Sequence, residues 1–462
     1  MLPGSIVPDW VRRSRRFRRT MLLALGAVAL VPPSGVAAQA RPEWGQYGAE
    51  DLRDAIARRA DSDLRAFYAS RTNRPLWIDD SGRLTPAADI LLRQVETAQF
   101  DGLKPKKFKP GDLARALDRA EQGSPDALAR AEIALSRTLA NYVKAMRAAP
   151  HAPMSYESEA LSPVVPTTAA ALAAAASADS LDNYVQSMGW MHPLYAPLRE
   201  AIGAGNFSDE QRDQIWLNLE RVRALPAYAS GRHVLIDAAS ARLWMYDNGR
   251  MVDSMKVVVG KPATQTPTMA GFIRYAIVNP YWNLPDDLMP SRITDHVLRS
   301  GPGYVAANRY QILPSWDEGA PVLDPRKVDW QAVAAGTQTI RARQLPGPGN
   351  FMGSVKFMFP NPQGIYLHDT PERDLLAKDA RQFSNGCVRL EDAQRLGRWL
   401  MGKPLPRNLR APEQRIELPE VVPVYITYLT AMPENGRIAF RDDVYARDRT
   451  QLAMSGTNTN AR

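Results

Sequence analysis

The stretch from Tyr366 to Arg389 reads YLHDTPERDLLAKDARQFSNGCVR and holds Cys387, the only cysteine among 462 residues. Gly386 precedes the thiol, and Ser384-Asn385-Gly386 is a cluster of turn formers, so a sharp bend is expected there. Such a bend can aim the backbone N–H groups of Gly386 and Cys387 at a developing oxyanion. Upstream, the alternating run Ile365-Tyr366-Leu367 suits a strand that ends at His368. A thiol becomes a nucleophile when a base or a positive environment assists it, and histidine is the usual partner. Taken singly, a cysteine is most often a small buried hydrophobe and a histidine a satisfied core or surface residue. Their spacing and surroundings have to supply the rest.

His368, fifteen residues, then Ser-x-Gly-Cys-Val-Arg resembles the signature of the L,D-transpeptidase catalytic domain of the YkuD type, which builds cross-links in bacterial peptidoglycan. Many members of that family carry a second histidine where this chain has Asn385, and asparagine where it has Arg389. The role of that second histidine therefore has no carrier here. The form with arginine is similar to the large Gram-negative branch.

The resemblance implies Cys387 as nucleophile, His368 as general base and acid, and a thioester acyl-enzyme. A peptidoglycan tetrapeptide would be the donor and a diaminopimelate side-chain amine the acceptor, giving a 3→3 cross-link. Water in place of the amine would make the same chemistry a peptidoglycan-peptide hydrolase, and a degenerate site would leave a non-catalytic cell-wall-binding protein. Intact His368, Gly386 and Cys387 weigh against the last.

Substrate contacts are expected from Tyr366, Ser384, Asn385, Arg389 and Trp282. Tyr366 shares a strand face with His368. Arg389 suits a stem carboxylate, with a structural ion pair as the plain alternative. Ser384 can equally cap its own loop, and for Trp282 aromatic packing is the safer reading. Asp369 is expected to be a solvated loop carboxylate. No cofactor is implied, and His151, His192, His233, His296 and His368 show no metal-ligand spacing.

The N-terminus is expected to be a signal peptide over 1–40. Six arginines between Arg12 and Arg19 precede the apolar run Met21 to Val31 and a small-x-small site, Ala38-Gln39-Ala40. Eleven apolar residues are too few to span a bilayer, so no stable membrane span is expected after cleavage. A loose twin-arginine pattern is present, with the general secretory route favoured, and the mature chain is expected in the periplasm. There a single thiol has no internal disulfide partner. Removing six Arg and one Asp lowers the net charge of +9 by 5, to +4, a mild bias that suits anionic envelope polymers. No basic patch interleaved with aromatics points to nucleic acid.

About 420 mature residues call for more than one core. Helical spacings run through 41–148, in Leu52, Ile56, Leu64 and Phe67 and again in Leu128, Leu135 and Leu139. The wording FYASRTNRPLWIDDSGRL resembles the helical scaffold domain of the large periplasmic branch. Residues 149–207 are Ala/Ser/Pro-rich and are expected to form a linker with a short helical segment. From Ser208 a capped helix leads into period-two strands beginning at His233, and 208–448 is expected to be the catalytic domain. Within it, 284–350 breaks the strand pattern and is expected to be a cap over the cleft. A disordered tail is expected over 449–462. The fold class is then α+β: a mainly β, sandwich-like YkuD-type domain with an inserted cap, preceded by a helical scaffold.

Overall fold

The structure, a computed structural model, describes residues 48–148, 150, 152–227, 231–406 and 411–456. The expected signal segment lies outside them. Among the described residues no helix is long and apolar enough to cross a membrane.

The helical part is built on Pro125–Arg147, a 23-residue helix opened by Ser124, whose hydroxyl accepts from the Ala127 N–H, with Pro125 at the first position. Around it pack Ala49–Arg59, Ser62–Ser70 and Pro110–Ala120, each burying its apolar stripe. Glu132 is fully buried in this core, where it accepts from the Tyr68 hydroxyl (2.7 Å) and the N–H groups of Leu76 (2.6 Å) and Trp77 (3.0 Å). Three donors on one carboxylate offset its desolvation.

The described residues of 149–207 hold more than the expected short helical segment, and they pack into the core where a linker was expected. Thr168–Ala176 buries Ala171, Leu172 and Ala175, and Trp190, Tyr195 and Leu198 enter the same core. Arg199 reaches back to Asp101 at 2.8 Å, and Ser155–Tyr156 adds a short strand parallel to Met269–Ala270. The Ala-rich composition reads as low complexity, but alanine is also the residue that lets helices approach closely without losing side-chain entropy.

Eight of the strands that follow build one ring: β1 (Arg232–Asp237), β2 (Arg242–Asp247), β3 (Arg250–Gly260), β4 (Met269–Val278), β5 (Val355–Met358), β6 (Leu367–His368), β7 (Val388–Leu390) and β8 (Gln414–Thr427). Their ladder runs β4-β8-β1-β2-β3-β7-β6-β5, and β5 pairs back onto β4, so the sheet closes on itself. The mainly β domain is thus a closed ring with two parallel pairs, β8 with β1 and β6 with β7.

The pleat sorts its side chains. Val234, Ile236, Leu243, Met245, Val424 and Ile426 fill the interior. The alternate residues Leu235, Trp244, Tyr246 and Tyr425 face outward into the helical core. Scaffold and ring are therefore joined by one continuous apolar layer.

The insertion is folded. Trp282–Asn283, Arg341–Gln344 and Tyr310–Leu313 form a three-stranded sheet in that order, with short helices Asp295–Ser300, Gly303–Ala307 and Trp330–Ala334. It has a core of its own, including Trp282, Ile293, Val305, Ile312 and Trp330, against which Tyr366 and Phe351 pack. At the C-terminus, Arg447–Gly456 is a helix rather than a disordered tail. Its Asp448 is buried against Arg221 (2.7 Å), and 457–462 lie outside the described residues.

Candidate active site

Because Leu367 and Val388 point into the ring, Tyr366, His368, Cys387 and Arg389 point out of it, and Tyr366 packs on the core of the 284–350 insertion. In the parallel ladder His368 lies opposite Arg389, and in the antiparallel one it lies opposite Lys356. A row Lys356–His368–Arg389 thus crosses three strands on one face, all three buried. Each cation has its own carboxylate: Lys356 Nζ lies 3.3 Å from Glu413, and Arg389 bonds to Glu372.

This row sets the state of the histidine. Burial, together with Arg389 and Lys356 on either side, pushes His368 down to about 3, against the Asp369 and Met352 carbonyls, which favour the charged ring. Nδ1 lies 2.6 Å from the Asp369 carbonyl, which can only accept, so Nδ1 carries the proton and Nε2 keeps its lone pair. His368 is held neutral.

Cys387 lies one residue before β7, beside Tyr366, whose carbonyl accepts from the Val388 N–H at 3.1 Å. The thiol sits 3.7 Å from the Gly364 carbonyl and meets the Tyr366 hydroxyl. The residue keeps part of its surface open, yet the groups crowding the sulfur exclude water and push the thiol up to about 11. The same closeness and burial push the Tyr366 phenol upward. With both groups held neutral, such a thiol reacts by handing over its proton as it attacks, not from a standing ion pair.

The loop before the thiol is held from within. Ser384 is buried, accepts from the Gly386 N–H (3.1 Å) and donates to the Cys387 carbonyl (2.6 Å). The Gly386 carbonyl accepts from Thr266, whose hydroxyl in turn accepts from the Gly260 N–H. Gly386 itself takes a φ of +119°, which disfavours a side chain.

Several expectations change accordingly. The Gly386 N–H is committed to Ser384, while the Asn385 and Cys387 N–H groups have no acceptor among the described residues. Ser384 shapes the loop instead of facing substrate. Arg389 is ion-paired with Glu372. Trp282 is buried, tilted against Phe351 at 4.7 Å, and belongs to the cap's core. Asn385 is exposed on the loop, and Tyr366 is where the strand parity placed it.

Asp369 is not a solvated carboxylate. It is buried and accepts from Ser354 N–H (2.9 Å) and Oγ (2.8 Å), the Thr370 N–H and Arg373, tying the end of β6 to the turn before β5. Gly353, at φ +61°, leaves the space it needs, since a Cβ there would meet Asp369 atoms at 2.6 Å. Sequence reading missed Lys356, Glu372 and Glu413. A charge inside the apolar run Val355-Lys356-Phe357, in phase with His368, was the available signal for the first. No group of His, Cys, Asp and Glu suited to a metal occurs among the described residues.

The family model described as the L,D-transpeptidase catalytic domain, YkuD, matches residues 231–426, and the Scaffold domain matches 62–202. The chain thus carries a YkuD-type L,D-transpeptidase catalytic domain preceded by a Scaffold domain. The Scaffold match runs well beyond 148, in agreement with the packing of 149–207. A Haemophilus influenzae protein named "Putative L,D-transpeptidase" is 27% identical over 410 residues, covering 86% of this chain and 80% of that protein. Similar solved structures include an L,D-transpeptidase from Mycobacterium smegmatis, at 12% identity and TM-score 0.22 over 44% of this chain and 63% of that one. Another is an LD transpeptidase in complex with imipenem, at 11% identity and TM-score 0.21 over 43% and 59%. Overlaps that small carry no argument, and this chain's match spans less than two thirds of those structures.

Proposed function

We propose that this L,D-transpeptidase forms 3→3 cross-links in peptidoglycan through a thioester on Cys387, working in the periplasm after export. The observation that supports the chemistry is the pairing of β6 with β7, which sets a neutral His368 at the end of one strand and a neutral Cys387 just before the other, on one face. The basic, then apolar N-terminus supports export.

In the first half-reaction the Cys387 sulfur attacks the carbonyl of the third stem residue as its proton passes to His368 Nε2. The carbonyl electrons move onto oxygen, where the Cys387 N–H is the donor. Collapse breaks the C–N bond, and D-Ala leaves with the proton from His368. In the second half, the diaminopimelate side-chain amine of another stem attacks the thioester, gives a proton to His368 and restores the thiol.

Purified enzyme should convert tetrapeptide muropeptides into 3→3 dimers with release of D-Ala. Release of D-Ala with only tripeptide monomers would instead make water the acceptor. His368→Ala should slow acylation ~10²–10⁴-fold while leaving the melting curve in place. An unchanged rate would reduce the histidine to packing.

A further inference from the structure

A cavity of about 580 Å³ opens where the cap meets the start of β8, lined by Tyr281, Asn283, Asp286, Trp316, Arg343 and Glu413 together with Leu284 and Pro285. Across the cap's sheet Arg343 stands in register with Asn283 on one side and Gln311 on the other. Ala342 and Gln344 are buried beneath that sheet, so the row Asn283–Arg343–Gln311 lies on the opposite face.

The charges of the lining differ in what they already hold. Asp286 is bonded to Arg341. Glu413 accepts from the Tyr281 N–H (2.6 Å) and from Lys356 (3.3 Å). The Arg343 guanidinium stacks 4.2 Å over the Tyr281 ring and gives its Nε to Gln311 Oε1 (2.9 Å), and among the described residues it has no carboxylate. Its two terminal nitrogens remain, fixed in plane by the stacking. That is the geometry that takes a carboxylate with two parallel bonds. Trp316, 45% exposed, and Tyr281 offer apolar surface beside it. The cavity is tied to the chemistry: Tyr281 holds Glu413, Glu413 holds Lys356, and Lys356 lies opposite His368.

We propose that this cavity is a carboxylate subsite for the peptide substrate. Arg343 binds a free carboxylate of a stem peptide, while Tyr281 and Trp316 pack against its hydrocarbon. The anchoring role that Arg389 suited by sequence falls to Arg343, because Arg389 is already paired within the site. The inference rests on the proposed function, and it deepens that reading by naming what the enzyme grips away from the scissile bond.

The test compares peptides with free carboxylates against the same peptides as carboxamides, modifying the donor in one arm and the acceptor in the other. KM for cross-linking is measured in wild type, Arg343→Gln and Arg343→Lys. In wild type, amidation in one arm should raise KM about 10- to 100-fold, the loss expected for a charge-assisted pair. That arm identifies which stem occupies the cavity. In Arg343→Gln, KM should be high for both forms, and amidation should no longer matter. Arg343→Lys, which keeps the charge and loses the fork, should fall between. Amidation that leaves wild-type KM unchanged in both arms would overturn the subsite, as would equal penalties in wild type and Arg343→Gln. The wild-type comparison stands even if a variant fails to fold. A wild type that forms no acyl-enzyme on Cys387 would overturn the proposed function and the subsite together, and so differs from failure of the subsite alone.

Discussion

The scaffold and the cap both cover the ring, but by different means. The scaffold merges with it: Leu235, Trp244, Tyr246 and Tyr425 leave the sheet and enter the same apolar layer as Leu52, Trp77 and Tyr142. The cap keeps a separate core around Trp282, Ile312 and Trp330, and it meets the ring at Tyr366, Phe351 and the cavity that holds Arg343. Apolar layers that run through a boundary make the parts fold and unfold together, whereas a boundary crossed by a cavity leaves the parts separable. On this comparison the scaffold is expected to hold the ring's shape, and the cap is expected to be the part free to shift against the thiol.

The largest effect that can break this comparison comes from paired tryptophan deletions. Trp77 is fully buried, its indole N–H given to Ser136 (2.9 Å), and Trp282 is nearly as buried in the cap. Trp77→Ala should cost about 3–5 kcal/mol and lower the unfolding midpoint of scaffold and ring together. Trp282→Ala should instead speed amide exchange over 284–350 while leaving the global midpoint nearly in place. Equal global losses would show the cap to be as fused as the scaffold.

A smaller effect is acid. His192 and His233 face one another across the scaffold–ring seam, at 5.9 Å between ring centres, with Tyr246 stacked on His233 and with Arg147 and Tyr425 nearby. Neither His192 Nε2 nor the two ring nitrogens of His233 has a partner among the described residues. Burial pushes His233 down to about 4 and His192 well below the usual histidine range. Their folded pKa values lie below the unfolded one of about 6.5, so the unfolded chain binds protons first as pH falls. Stability is full above pH 6.5 and should drop by about 2 kcal/mol per seam histidine on going to pH 5. Denaturant midpoints at the two pH values, with His233→Phe as the control that removes one share, check this. A midpoint indifferent to pH would mean the seam histidines are hydrated.

The smallest effect concerns the cap's response. Amide exchange over 284–350 should slow when Cys387 is acylated, because filling the cleft gives the cap contacts that the free enzyme lacks. Equal exchange in both states would leave it a fixed wall.

How much of this the sequence disclosed depends on how local each cause is. Cys387 and His368 were legible because their chemistry and their spacing sit in one stretch, and the strand parity that puts Tyr366 beside them follows from Leu367 alone. The donor role of Gly386 was not, since a hydroxyl two residues back takes its N–H. Trp282 stayed open between cleft and packing because nothing in 284–350 announces a core assembled from scattered residues such as Ile293, Val305 and Trp330. The segment around Ala171 and Leu172 read as a linker because composition hides which alanines are buried. Arg343 gave no signal at all: its meaning comes from Tyr281 and Gln311, far away in the chain and met only in the folded cap.

The most direct test of the account is the intact mass of the mature protein after exposure to imipenem, a strained acyl donor for a cysteine nucleophile. The account predicts one added imipenem per chain, located on the peptide that contains Cys387, and none in Cys387→Ala. An adduct that persists in Cys387→Ala would contradict it.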